Sequence, residues 1–314
     1  MPKKRRLEKK RKEEGKPKWS KKKIELKRPK EKRRLIVKKP PTKEKEIVKT
    51  GIPGFDQLFL EGGIVRGTSV LVAGGPGTCK TIFSLQTLYN AACEGHDCVY
   101  LTLEEAPERL LKHLLDFGSE VKEMKREGDS IFLRAGQGKL VLRRLEPITI
   151  ARSVEALLEK ASGRLSVNVG EVLNLVPRGF SPYMLVLDSI SAMETAFSGT
   201  PGQYRIYIEQ LFRYFETLNV TSFLITETTE APVRFSKTGV EEFLADGIIA
   251  FYYFKAGAER IRAIEIVKMR GGSHSSRIVP MHITKHGLVV SSRAPSAEIT
   301  AKQAEFAGAL GVKE

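Results

Sequence analysis

The stretch 74-GGPGTCKT-81 decides the fold. It fits the phosphate-cradling pattern G-x-x-x-x-G-K-[ST] at every fixed position but one, because Cys79 stands where the pattern has its second glycine. Before it, 69-SVLVAG-74 is a short apolar run ending in glycines, the texture of a buried strand. After it, 80-KTIFSLQTLYNAACEG-95 carries apolar residues at helical spacing and stops at Gly95. A strand, a loop and a helix in that order aim the backbone N–H groups of 75–81 into a concavity at the positive end of the helix, where phosphate oxygens bind. The nucleotide-binding segment is therefore Gly74, Gly75, Pro76, Gly77, Thr78, Cys79, Lys80, Thr81 and Ile82. Lys80 would reach the terminal phosphates and the Thr81 hydroxyl would bind Mg²⁺.

Outward from the loop, strands and helices alternate. The run 98-CVYLTLEE-105 reads as a strand, and 107-PERLLKHLLDFG-118 as a helix with proline at its start and glycine past its end. A strand is expected at 131-IFLRA-135 and a helix at 151-ARSVEALLEKAS-162, within a stretch, 136–180, whose pattern is otherwise ambiguous. Then come the apolar strand 183-YMLVLDSIS-191, an amphipathic helix over 203–219 and the strand 220-VTSFLITET-228. After residue 246 the strand-like runs 247–254, 261–269 and 278–284 follow one another through short turns. The pattern predicts an α/β fold: a mainly parallel central sheet with flanking helices and antiparallel edge strands at its C-terminal end. It is expected as one domain over about 50–292, with tails at 1–49 and 293–314.

Three carboxylates stand where such a sheet would place them near the loop. Asp188 ends an apolar strand and can hold Mg²⁺ through water, or simply cap a turn. Glu104 and Glu105 end the strand 98–105; one of them near the terminal phosphate could orient or deprotonate an attacking water. Adjacent strand residues face opposite sides, so both point one way only if the strand has ended. As acids before Pro107 they also suit a helix amino end. Thr226 or Glu227 could sense a γ-phosphate, and no N-K-x-D run supports guanine selectivity.

The net charge of +16 is not spread over the chain. Residues 1–49 hold 24 Lys+Arg against 7 Asp+Glu, so the remaining 265 residues are close to neutral. This arm has one aromatic residue, Trp19, and too little apolar surface to offset its ordering entropy, which predicts disorder in isolation. Its charge suits a polyanion such as nucleic acid, ribosomal RNA or an anionic membrane face. No apolar run approaches the roughly 18 residues of a membrane span, and the first residues have no apolar signal segment. Cys79, Cys93 and Cys98 form no metal-ligand pattern, and a reduced, cytoplasmic setting is expected.

Several segments together resemble the KaiC-type ATPases of the RecA superfamily over about residues 48–292: 50-TGIPGFDQL-58, the loop itself, 101-LTLEE-105, 185-LVLDSIS-191, 239-GVEEFLADGII-249 and 268-KMRGGSH-274. The resemblance implies a RecA-like P-loop fold, ATP with Mg²⁺, and a homo-oligomeric ring, commonly a hexamer. By position it implies Glu104 and Glu105 as a catalytic glutamate pair acting with Lys80, and Asp188 as the Mg²⁺-associated aspartate. It also implies that Lys268 and Arg270, with His274, reach a neighbouring subunit's nucleotide, where a cation from outside would stabilise transition-state charge. Autophosphorylation occurs in some members of the family, and no serine or threonine here is singled out for it. Cys79 departs from the family's glycine. If the site demands a positive φ, a cysteine there costs roughly 1–2 kcal/mol. A thiol beside Lys80 and a helix amino end would have a lowered pKa, which raises redox control as a possibility.

Three functions follow from these features. The first is an oligomeric switch ATPase that signals to a protein partner. The second is a RecA/RadA-type DNA-binding recombination or repair factor tethered by the arm. The third is an ATP-bound scaffold whose turnover Cys79 suppresses.

Overall fold

The computed structural model describes residues 45–150, 152, 175–196, 201–228, 234–256 and 258–291. The expected helix over 151–162 and the tail 293–314 therefore lie outside the described residues, as does nearly all of the arm. All described residues belong to the unit Glu44–Glu314.

The strands are β1 (Ile47–Val48), β2 (Ile64–Val65), β3 (Ser69–Gly74), β4 (Cys98–Thr102), β5 (Val121–Glu127), β6 (Ser130–Ala135) and β7 (Gly138–Arg144). They continue with β8 (Met184–Asp188), β9 (Thr221–Glu227), β10 (Gly247–Ala256), β11 (Glu259–Met269), β12 (Val279–Thr284) and β13 (Gly287–Val290). The helices are α1 (Lys80–Cys93), α2 (Pro107–Asp116), α3 (Ile190–Ala196), α4 (Pro201–Thr217) and α5 (Val240–Leu244). Eleven strands form one sheet in the order β13-β12-β11-β10-β3-β9-β8-β4-β7-β6-β5. Its centre, from β10 to β7, is parallel.

The period-2 alternation of the central strands feeds two cores. Val70 and Val72, Tyr100, Val186 and Phe223 face α1, where Phe83, Leu85 and Leu88 pack. Leu71, Leu101, Leu187 and Leu224 face the opposite side, under Ile208, Leu211 and Phe215 of α4. Both faces of β3 are buried along its whole length, as expected of a parallel strand covered by helices on both sides.

The expected antiparallel strands at the C-terminal edge are present, from β10 to β13, and β5, β6 and β7 add an antiparallel meander at the other edge, where β7 runs parallel to β4. Three expectations are corrected. The strand 98–105 ends at Thr102, whose Oγ1 accepts the N–H of Glu105 at 2.9 Å and donates to its carbonyl at 2.9 Å, closing a turn. The strand 183–191 ends at Asp188, and α3 begins two residues later. Ile47 and Val48, counted in the arm on composition, pair with Val65 and Ile64, so the folded body starts before residue 50.

Candidate nucleotide site

The loop leaves β3 at the carboxyl end of the parallel sheet and enters α1 at Lys80. Cys79 has φ 77° and ψ 23°, so the glycine position of the motif is left-handed and carries a side chain with a Cβ. The thiol packs partly against the core and lies 3.8 Å from the Gly77 carbonyl oxygen. Burial raises its pKa, outweighing the lowering by Arg262 and Lys80. This direction runs against the lowered thiol pKa on which redox control was expected to rest. Gly74 cannot be replaced easily, since an added Cβ would lie 2.8 Å from the Phe251 carbonyl oxygen.

Lys80 folds back into its own loop, donating from Nζ to the carbonyls of Gly74 and Gly75 at 2.9 Å each. Burial lowers its pKa, while Asp188 and Glu227 act in the other direction. Thr78 Oγ1 donates to Gly75 O at 2.7 Å and shapes the turn.

Asp188, at the end of β8, meets Thr81 across the mouth. The Thr81 hydroxyl donates to its Oδ2 at 3.3 Å, and the Tyr100 hydroxyl from β4 donates to the same oxygen at 2.5 Å. Burial pushes the Asp188 carboxyl up to about 6, with Glu104 adding to the rise and the two hydroxyl donors opposing it. Among the described residues no cation lies within ion-pair distance of it. A half-buried carboxylate and a hydroxyl this close, with no closed cage of His, Cys, Asp or Glu around them among the described residues, fit a Mg²⁺ that keeps waters and leans on substrate phosphates.

The two glutamates diverge, because both sit in the turn after β4. Glu104 points to the mouth and accepts from Ser189 Oγ at 2.8 Å. Glu105 turns towards α2: its Oε2 is buried without a hydrogen bond and lies 3.5 Å from His113 Nε2. Thr226 is buried and lies 3.4 Å from Ser191 Oγ, facing away from the mouth, whereas Glu227 is exposed at the end of β9.

Lys268, Arg270 and His274 do not reach this loop. Lys268 pairs with Ile248 on β10, which lies beside Leu71, at the start of β3 rather than its end. Its Nζ donates to the carbonyls of Glu242 (2.9 Å) and Ala245 (2.7 Å) at the end of α5. Arg270 donates to Phe243 O at 2.9 Å and lies 3.4 Å from Asp246. His274 forms a bridge with Phe59.

Two residues near the site carried no sequence signal. Tyr100 reads as a core residue of an apolar strand. Arg262 is one cation among several in β11, yet its Nε donates to Gly77 O at 3.1 Å and its guanidinium stacks 4.4 Å above the Tyr253 ring. Only strand pairing puts either one beside the loop.

A RecA-type P-loop sheet with lysine, hydroxyl and two carboxylates converging at the loop defines an ATP-binding domain, and comparison with known proteins agrees. A family model described as "ATPase: KaiC" matches residues 48–294. The chain belongs to the KaiC ATPase family. A UPF0273 protein of Aeropyrum pernix is 35% identical, the match covering 77% of this chain and 92% of that one. A UPF0273 protein of Thermotoga maritima is 34% identical over 77% and 94%. The circadian clock protein KaiC3 of Synechocystis is 32% identical over 77% of this chain, which spans only 45% of that longer protein. The crystal structure of a KaiC-like protein from Pyrococcus horikoshii superposes with a TM-score of 0.59 at 30% identity, covering 79% of this chain and 99% of that one. The family is thus KaiC rather than that of the recombination factors.

Proposed function

We propose that this protein is a Mg²⁺-dependent ATPase that works as a homo-oligomeric switch, each site being completed by a neighbouring copy. The observation that carries this reading is the convergence of Lys80, Thr81, Asp188 and Glu104 on one loop mouth. The backbone N–H groups of the loop and Lys80 hold the phosphates; Lys80 exchanges its two carbonyl partners for phosphate oxygens. Thr81 and Asp188 would hold Mg²⁺, which neutralises phosphate charge when bound. Glu104, oriented by Ser189, accepts the proton of the attacking water. Glu105 acts through the turn and His113, as a positioning residue.

The trans role of Lys268 and Arg270 is supported by their place at the far end of β11. Lys268 lies at the register of Leu71, and Met269, which precedes Arg270, at that of Val70. Their own loop at Gly74 starts three to four residues farther along β3, about 10–13 Å, so a nucleotide they touch is more readily a second copy's. ATP binding and hydrolysis by the purified protein with Mg²⁺ test the reading. Turnover that disappears in Lys80→Ala establishes the ATPase. Binding without turnover, with turnover appearing in Cys79→Gly, establishes an ATP-gated scaffold instead. Failure to bind ATP overturns both.

A further inference from the structure

We propose that the outer face of the β5–β6–β7 meander is a docking surface for single-stranded nucleic acid. Strand register places three ladders on this face: Lys122–Arg134–Lys139, Lys125–Phe132–Val141 and Glu127–Ser130–Arg143. The opposite face is core, with Ile131, Leu133, Leu140 and Leu142 under the helices. The outer face is open only in part: Val141 and Ser130 are buried, and Phe132 and Phe180 each turn one side to the second core and the other to the cleft. Like charges directly opposite one another destabilise a sheet; in the first ladder Lys139 is offset by Asp97 at 3.7 Å and Arg134 donates only to the Gln137 carbonyl at 3.2 Å, so the ladder keeps a net positive charge.

The segment Pro177–Phe180 overhangs the same face and encloses a cleft of ≈ 540 Å³. That is within the range, about 300–1,000 Å³, of sites that bury a nucleotide-sized ligand. Two rings line the cleft, Phe132 and Phe180, and the Lys125 ammonium lies 4.5 Å from the Phe132 centroid. Lys125 and Lys139 already have carboxylate partners, Glu127 at 2.6 Å and Asp97 at 3.7 Å. Arg143 and Arg178 have none: among the described residues neither guanidinium makes a hydrogen bond or ion pair, although Arg143 is half-buried and burial lowers its pKa. A half-buried guanidinium with no partner in the protein keeps all its donors for a phosphate oxygen.

Rings and unpaired guanidiniums in one cleft match the chemistry of a single strand, whose bases stack while its phosphates find cations. An acidic peptide would use the cations and leave the rings idle, and a duplex would keep its bases from them. The surface is separate from the nucleotide site, since β6 lies five strands from β3 in the sheet, about 24 Å.

The test measures binding of labelled oligo(dT) and oligo(U) to the full chain across a salt series. Because the basic arm also attracts polyanions, the variants isolate the face. Arg143→Gln with Arg178→Gln is expected to weaken binding about tenfold or more and to lower the salt slope by roughly 1.4, the value for two phosphate contacts on a single strand. Phe132→Leu is expected to weaken it about fivefold or more with the slope unchanged, as loss of stacking requires. An iodouracil-bearing strand should crosslink to the peptides 130–144 or 175–180. Wild-type affinity in both variants, crosslinks confined to residues 1–44, or duplex and polyphosphate competing as well as the single strand would each overturn the proposal. Thermal melting controls for folding, and if the double variant melts early the exposed single change Arg178→Glu carries the same expectation.

Discussion

At Cys79 the conflict between side chain and backbone is local and measurable. A residue with a Cβ held at φ 77° sits in a conformation that costs roughly 1–2 kcal/mol for anything but glycine. Cys79→Gly is therefore expected to raise the melting temperature of the nucleotide-free protein by a few degrees, on the order of 2–4 °C per kcal/mol for a domain of this size. An unchanged or lower midpoint would mean that thiol packing outweighs the strain. Asp188 presents the opposite case, a group kept at a cost to stability. Its folded pKa of about 6 exceeds the ordinary aspartate value of 3.8, so the folded state binds the proton more tightly. Stability is then greatest below the lower value and falls as pH rises through the upper one. The penalty reaches up to about 3 kcal/mol at pH 7. Asp188→Asn should melt higher than wild type at neutral pH without nucleotide, lose that advantage as pH falls towards 4, and lose Mg²⁺-dependent ATP binding. A constant melting difference across that pH range would remove burial of the charge as the cause.

At the scale of elements, the loop is braced by the β10–β11 hairpin as well as by its own strand and helix. Arg262 on β11 bonds the Gly77 carbonyl and stacks on Tyr253 of β10. A hydrogen bond from a charged donor is worth about 1.5–3 kcal/mol when buried and less where water competes. Arg262→Ala is expected to weaken ATP binding roughly tenfold with little change in melting temperature, read by titration with a fluorescent nucleotide. An affinity equal to wild type would show that the loop holds its shape without the brace. Lys268 and Arg270 also act at this scale, because within one chain they cap the carbonyls at the end of α5. In the proposed oligomer, exchange between that cap and a neighbour's phosphates would let nucleotide be felt at a subunit boundary.

For the whole molecule, the sheet keeps Lys80 and Arg270 at opposite ends of its parallel strands. If a working site takes its loop from one copy and its cation from the next, each single variant is inactive and a mixture is not. Lys80→Ala mixed with Arg270→Ala should recover part of the wild-type ATPase rate. Each mixed pair that joins an intact loop to an intact Arg270 restores one site. A mixture as inactive as its components would confine the site to one chain.

The P-loop, the order of strands and helices, and the carboxylate at the end of β8 were legible in the sequence. Each rests on short-range physics: a period of 2 or 3.6, glycine at tight turns, proline and glycine at helix ends. Composition alone also separated a charged arm from a neutral body, though it put the junction at 49/50, just after the strand Ile47–Val48. What the sequence did not yield depends on strand neighbours far apart along the chain. The strand β5, VKEMKRE, is exposed almost throughout and so has no apolar stripe to announce it. Only pairing with β6 makes it a strand. Strand pairing also places side chains: β5–β6–β7 aligns three basic side chains into a ladder, β11–β10–β3 brings Arg262 to a loop 185 residues away, and β4–β8 sets the Tyr100 hydroxyl on Asp188. Tertiary structure also decided between the two glutamates. The sequence places them side by side, and the turn closed by Thr102 sends Glu104 to the nucleotide mouth and Glu105 to His113, because the strand that would have fixed their directions had already ended.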